Sequence, residues 1–383
     1  MDLEGAELLA CGIDDNKKAG DVIIREMVKR EDGFTLIELM VTMVISLIAI
    51  TATTTIFAKL LTQFKQESRV AESNVEGVIG LEYLRKDTQA AGYGLPAAIP
   101  AGVNYAEAAT GPVGTNDSTA NPPRAVFSLN DSASGLNNSD YLVIKSLSVA
   151  VNDDAAGKSA TLSVGDVKPA WDVASEQLNP TDRVIVLSTI DNTTSLVASG
   201  GAFFTMYNST SGFAPADSSQ VNIVYGVSKN NDLRMPFNRA DYFITGAAVA
   251  VPNRCAPNTG ELVKAAVNQS DGGYTYYPLL DCVADMQVIF GLDTNGDGAV
   301  DTWSNDISAF SAATIRQQVR EVRVYIVAQE GQMDPSYTSP NPITGDGEFG
   351  DGRAPGDAYT LAADQLNYRW KVYTLVEKPL NLR

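Results

Sequence analysis

Between Phe34 and Ala58 the chain runs 25 residues with one charge, Glu38, and with neither proline nor glycine. A helix of about 20 apolar residues crosses the roughly 30 Å hydrocarbon core of a bilayer, so this segment is long enough to span one. Lys29 and Arg30 sit just before it, which predicts that this end stays in the cytoplasm. Glu38 is the anomaly. An ionised, unpaired carboxylate in lipid costs roughly 3 kcal/mol or more on insertion scales, so it calls for a cationic partner. A cut after Gly33 would supply one, because the new amino terminus at Phe34 carries an ammonium at the same end of the helix. Within one copy the geometry is poor. The amine of a neighbouring copy, shifted along the axis, can reach Glu38.

The residues around that cut, Lys29-Arg30-Glu31-Asp32-Gly33-Phe34-Thr35-Leu36-Ile37-Glu38, resemble the class III signal of type IV prepilins and type II secretion pseudopilins. The resemblance implies a membrane aspartyl peptidase, the prepilin peptidase, that cleaves after Gly33 and methylates the Phe34 amine. It also implies that Glu38, fifth in the mature chain, guides entry into a helical filament of other pilins. Val28–Gly33 resembles a typical short leader behind Met27, so Met27 is the expected start and 1–26 is upstream translation.

The helical pattern continues past Ala58, rich in good helix formers, with no glycine until Gly77. Val70, Gly77, Leu81, Leu84 and Ala91 share one face, and Val75 and Ile79 form a roughly opposite one. Two apolar faces suit a helix with its own head on one side and other subunits on the other. From Phe34 to Ala91 the helix would be about 87 Å long at 1.5 Å per residue, more than twice what a bilayer needs. Gly92-Tyr93-Gly94-Leu95-Pro96 stops it. Leu84-Arg85-Lys86-Asp87-Thr88-Gln89-Ala90-Ala91-Gly92-Tyr93-Gly94 resembles the helix end of PilW-type minor pilins, as do Gln318–Val324 and Tyr368–Thr374 their last strands.

Residues 96–139, rich in small and polar types, read as a long surface loop with a short strand around Ala125–Leu129. From 140 onward short β runs alternate with turns: Tyr141–Val151, Ala160–Val164, Arg183–Thr189, Ser195–Ala198, Phe203–Tyr207, Val221–Ser228, Leu233–Phe237, Asp241–Ile244, Val283–Leu292, Val319–Ala328 and Arg369–Val376. The continuous apolar run Val184–Leu187 predicts a strand buried on both faces. The expected fold is α+β and pilin-like. It has a leader over 1–33, a helix over 34–92 that spans the membrane over 34–58, and an antiparallel β-rich head over 93–383, with inserted strands or a subdomain within 96–250.

Histidine is absent, which removes Ser-His-Asp and Cys-His catalysis and histidine metal sites. An enzyme is not expected. Gly157-Lys158-Ser159 lacks the upstream glycine of a phosphate loop. The net charge of −18 disfavours direct nucleic acid binding and favours divalent cations. Asp293-Thr294-Asn295-Gly296-Asp297-Gly298-Ala299-Val300-Asp301 has the ligand spacing of an EF-hand-type calcium loop. Asp293, Asn295, Asp297 and Asp301 would bind Ca2+ through side chains and Ala299 through its carbonyl. Position 12 is Ser304, so the bidentate glutamate is missing and affinity should be weak to moderate. The acidic loop Gly345–Gly352 fits no metal template and reads as a solvated loop. Cys11 falls in the leader, which leaves Cys255 and Cys282 to pair in an oxidising periplasm. Closing that loop stabilises by roughly 3.5 kcal/mol.

These features predict a minor pilin for type IV pilus assembly or initiation, held in the inner membrane by one span and then built into the pilus at the cell surface. Thr55 stands where major pilins carry a helix-softening proline, and the threonines at 51 and 53–55 would loosen the helix instead by β-branching. The 350 residues beyond Gly33 argue against a bulk subunit. The alternatives are a pseudopilin of a type II secretion system and an adhesin head on a pilin stalk.

Overall fold

The computed structural model describes residues 33–382 except 118, 131, 134, 170, 172, 191–192, 247–250 and 341–358. The expected leader ahead of Gly33, with Cys11, and the acidic loop at 345–352 lie outside the described residues. The chain divides into two units, 1–65 and 66–383.

Helix α1 runs from Leu36 to Ala90. Thr35 caps it: its carbonyl accepts from Leu39 N–H and its Oγ1 accepts from Glu38 N–H at 3.3 Å. The Thr-x-x-Glu order is that of a capping box, and the carboxylate in the first turn faces the positive end of the helix dipole. The threonine run does not interrupt α1. The hydroxyls of Thr51, Thr53, Thr54 and Thr55 each donate to the carbonyl four residues back, at 2.7–2.8 Å. Each hydroxyl is thereby satisfied without water or a partner chain, the requirement that lipid imposes.

In chain order the strands are β1 (Val126–Leu129), β2 (Tyr141–Ser146), β3 (Ser159–Leu162), β4 (Arg183–Ile190), β5 (Thr193–Leu196), β6 (Thr205–Met206), β7 (Asn222–Ser228), β8 (Asn238–Ile244), β9 (Gly260–Val267), β10 (Tyr274–Leu292), β11 (Thr302–Ser304), β12 (Val319–Glu330) and β13 (Arg369–Glu377). They form two antiparallel sheets. The larger has the order β1-β2-β8-β9-β10-β12-β13, with β11 paired to β10. The smaller has the order β3-β7-β4-β5, with β6 paired to β4, and is the insertion expected within 96–250.

The second unit is built around the face of α1 that the periodicity selects. Leu81, Leu84 and Ala91 join the main core with Val288, Phe290, Val322, Val324 and Leu375. Gly80 has no room for a side chain: a Cβ there would stand 2.0 Å from the Leu279 carbonyl oxygen, so helix and sheet meet backbone to backbone. Val75 and Ile79 are 60 % and 59 % exposed. In the smaller sheet Ile185 and Leu187 enter the main core, whereas Val184 and Val186 pack into a second core with Leu162, Leu178 and Phe213. That arrangement explains the unbroken apolar run in β4.

Three expectations need correction. Leu233–Phe237 is not a strand. Its alternation marks burial of Leu233, Met235 and Phe237, while Gln269 Oε1 accepts from Arg234 N–H and Met235 N–H where a ladder partner would be. β2 ends at Ser146 rather than Val151. The stretch 96–139 is not merely surface: Val103, Tyr105, Glu107 and Thr115 are buried, and Tyr105 meets Phe237 edge to face at 5.5 Å. Sequence reading also missed β9, the first half of β10, and the short helix α2 (Ala312–Gln318), which Ser311 caps by accepting from Thr314 N–H.

Candidate functional site

Phe34 is 79 % exposed, and nothing lies within 4 Å of the position a Cβ would take at Gly33. Glu38 lies one turn into α1 on an apolar surface of exposed Leu36, Ile37, Leu39, Met40 and Val41. The structure thus places the three residues of the signal together at one helix end. Helix α1 is long and apolar enough to cross a membrane.

Further along, α1 is fixed to the head by polar groups that sequence reading left without a role. Asp87 is buried, and its Oδ2 receives Lys264 Nζ from β9 and the Tyr242 hydroxyl from β8, each at 2.5 Å. Burial raises the Asp87 carboxyl above its ordinary value, with Lys264 and the Tyr242 hydrogen bond pulling the other way. Burial next to Asp87 also pushes the Tyr242 hydroxyl well up. Arg85 Nε and Gln89 Nε2 both hold Glu377 at the end of β13, at 2.8 and 2.6 Å. Lys371 Nζ donates to Asn74 Oδ1 at 2.6 Å. The signal that could have found these is an acid and an amide, Asp87 and Gln89, close to the apolar face set by Leu84 and Ala91.

Cys255 and Cys282 are joined, with Cα atoms 5.0 Å apart. The bridge fastens the segment after 250 to a bulged part of β10, where the pairing with β9 shifts register between Leu280 and Val283. Gln329 adds a second tie, accepting from Ala256 N–H and donating to the Arg254 carbonyl.

The aspartate loop is a hairpin turn between β10 and β11, not part of a helical pair. Asp293 accepts from Gly296 N–H at 2.6 Å and Gly298 N–H at 2.9 Å, and Arg320 Nη2 lies 3.0 Å from its Oδ2. Burial opposes ionisation there, but these donors together hold the Asp293 carboxyl below its usual range. Asn295 caps Asp297 N–H, and Asp297 caps Ala299 N–H. Asp301 accepts from the backbone of Thr294 and Asn295. Gly296 and Gly298 supply the positive φ angles, +81° and +89°, that the turn needs. Among the described residues no group of three or more acidic or cysteine side chains is placed to hold a metal ion.

Two family profiles match the chain. One, Prokaryotic N-terminal methylation motif, covers residues 28–54. The other, Type IV Pilus-assembly protein W, covers 241–376, from β8 to the end of the large sheet. No curated protein matches the chain. Among solved structures, a type IV-like pilin from Thermus thermophilus aligns at 14 % identity over 38 % of this chain and 80 % of its own, with a TM-score of 0.18. The methylation motif at the start of α1 and the pilus-assembly match across the large sheet together support a type IV pilin of the PilW type that serves pilus assembly.

Proposed function

We propose that the protein enters the pilus by exchanging lipid for sister helices, with Glu38 setting the stagger. The observation that carries this reading is the single charge in the 25-residue apolar run from Phe34 to Ala58, with every described side chain of that run exposed. Prepilin peptidase frees the Phe34 amine, which is then methylated, and Glu38 of one copy pairs with the Phe34 amine of its neighbour. In lipid such a pair removes most of the cost of an isolated carboxylate. The exposed stripe of Val75, Ile79 and Tyr83 on α1 is the second contact with other pilins. Before assembly the leader faces the cytoplasm and the head the periplasm; afterwards the head faces outward at the cell surface. The test is Glu38→Ala. That variant should be cleaved and methylated, shown by a Phe34 amino terminus in the purified protein, yet be missing from sheared pili. Incorporation at the unmutated level would remove the pairing.

A second proposal places calcium at the Asp293–Asp301 loop, supported by the ligand spacing of the sequence. Binding would set the ion against Arg320 for Asp293. Calorimetry with CaCl2 on the detergent-solubilised full chain tests it, and Arg320→Ala should tighten binding. No calcium-dependent heat in either protein ends the idea.

A further inference from the structure

The head holds a buried charge cluster that neither processing nor assembly uses. Lys145 on β2 is fully buried, and its Nζ lies 2.5 Å from Asp117 Oδ2 and 2.7 Å from Glu107 Oε1. The Phe237 ring centre is 5.5 Å from the same nitrogen. Both acids come from the loop between Val103 and Arg124, and their side chains are 7 % and 1 % exposed. Arg124 Nε donates to Asp117 Oδ1 at 2.6 Å and its backbone N–H to Oδ2 at 2.9 Å. Arg239 Nη1 holds the other oxygen of Glu107 at 2.7 Å. A buried ion network of this kind is a poor source of net stability, because desolvation offsets the attraction. An amine pressed against one acid, with a second acid on the same amine, is also a reaction geometry.

We propose that Lys145 and Asp117 condense to an intramolecular amide, with Glu107 as the proton carrier. In this step Lys145 first passes one ammonium proton to Glu107, whose Oε1 lies 2.7 Å from Nζ. The Nζ lone pair then attacks Asp117 Cγ, and the Arg124 Nε–H steadies the charge that develops on Oδ1. Nζ loses a second proton to Oδ2, Glu107 returns the first to the same oxygen, and the Cγ–Oδ2 bond breaks. One C–N bond forms, one C–O bond breaks and one water leaves; no oxidant, reductant or cofactor is required. The fold replaces the entropy of encounter by holding both groups in place. The product ties the Val103–Arg124 loop covalently to β2.

Intact mass and a tryptic map of the detergent-solubilised full chain test this. The expected result is a mass short by one water beyond the disulfide. The map should show a branched peptide joining the Asp117 and Lys145 segments, with no cleavage after Lys145. Glu107→Gln and Lys145→Met should each restore the full mass while tryptophan fluorescence still reports a folded head. A full mass for the unmutated protein overturns the proposal. So does a water loss that maps to an Asp-Gly step such as Asp297-Gly298 with an unbranched Lys145 peptide. Amide at the unmutated level in folded Glu107→Gln overturns the role of Glu107.

Discussion

From Leu36 to Lys65 every side chain of α1 is exposed, whereas from Gln66 to Ala90 one face is buried. The first stretch carries its apolar residues all round, and the second carries them in stripes. A helix apolar on all sides has no preferred inner face and is solvated by lipid or by other helices. A striped helix has one, and here Leu81 and Leu84 of that face join the main core of the head while Gly80 meets the backbone of β10. Substitutions in the first stretch should therefore be read out by assembly, and those on the buried stripe by stability. Trp171, Trp303 and Trp370 all lie in the second unit, so tryptophan fluorescence during denaturation of the solubilised full chain follows the head alone.

The largest expected effect is at Gly80. Gly80→Val would drive a branched side chain into the Leu279 carbonyl, and the head should lose about 4 kcal/mol or not fold; Ala49→Val, in the exposed stretch, should leave the same transition in place. Leu84→Ala should cost about 3 kcal/mol from its fully buried site, and Leu47→Ala close to nothing in the same assay. An equal loss in both would show that the two stretches of α1 are not independent. Ile79→Ser, on the exposed stripe, should move head stability by less than about 0.5 kcal/mol while lowering the amount recovered in sheared pili. A stability loss like that of Leu84→Ala would place Ile79 in the core instead.

The smallest effect is a slope with pH. The folded carboxyl of Asp87 is raised above its unfolded value, so the folded state binds that proton more tightly. Its contribution to stability is fully present below the unfolded carboxylate range and is lost as pH rises through the raised folded value. Melting temperatures of the unmutated chain minus those of Asp87→Asn should therefore fall as pH rises from about 4, where an unfolded aspartate titrates, toward neutrality. A difference that rises over that window would mean that Lys264 and Tyr242 outweigh burial.

Much of the head was legible because sheet pairing amplifies local alternation: Val322–Ile326 alternates in sequence and pairs over its whole length with β13. The pairing of Cys255 with Cys282 was legible by elimination. What was not legible depended on distant partners. Leu233–Phe237 alternates as a strand does, but an amide 34–35 residues away takes its N–H groups. The stretch 96–139 looked solvated because its residues are small and polar, yet Glu107 and Asp117 turn inward to cations on β2 and β8 and on the loop itself. Polarity predicts exposure only when no opposite charge waits inside.

The sequence by itself determined the apolar rod, the signal motif around Gly33 and Phe34, the lone Glu38 and the two stripes of the later helix, since each rests on residues within a few turns of one another. Only the tertiary structure decided which stripe is covered, that Asp87 meets Lys264 and Tyr242, and that Lys145 sits between two acids. Those depend on which strands become neighbours, and contacts across 28 to 177 residues of chain are set by the packing of the whole core rather than by any local pattern.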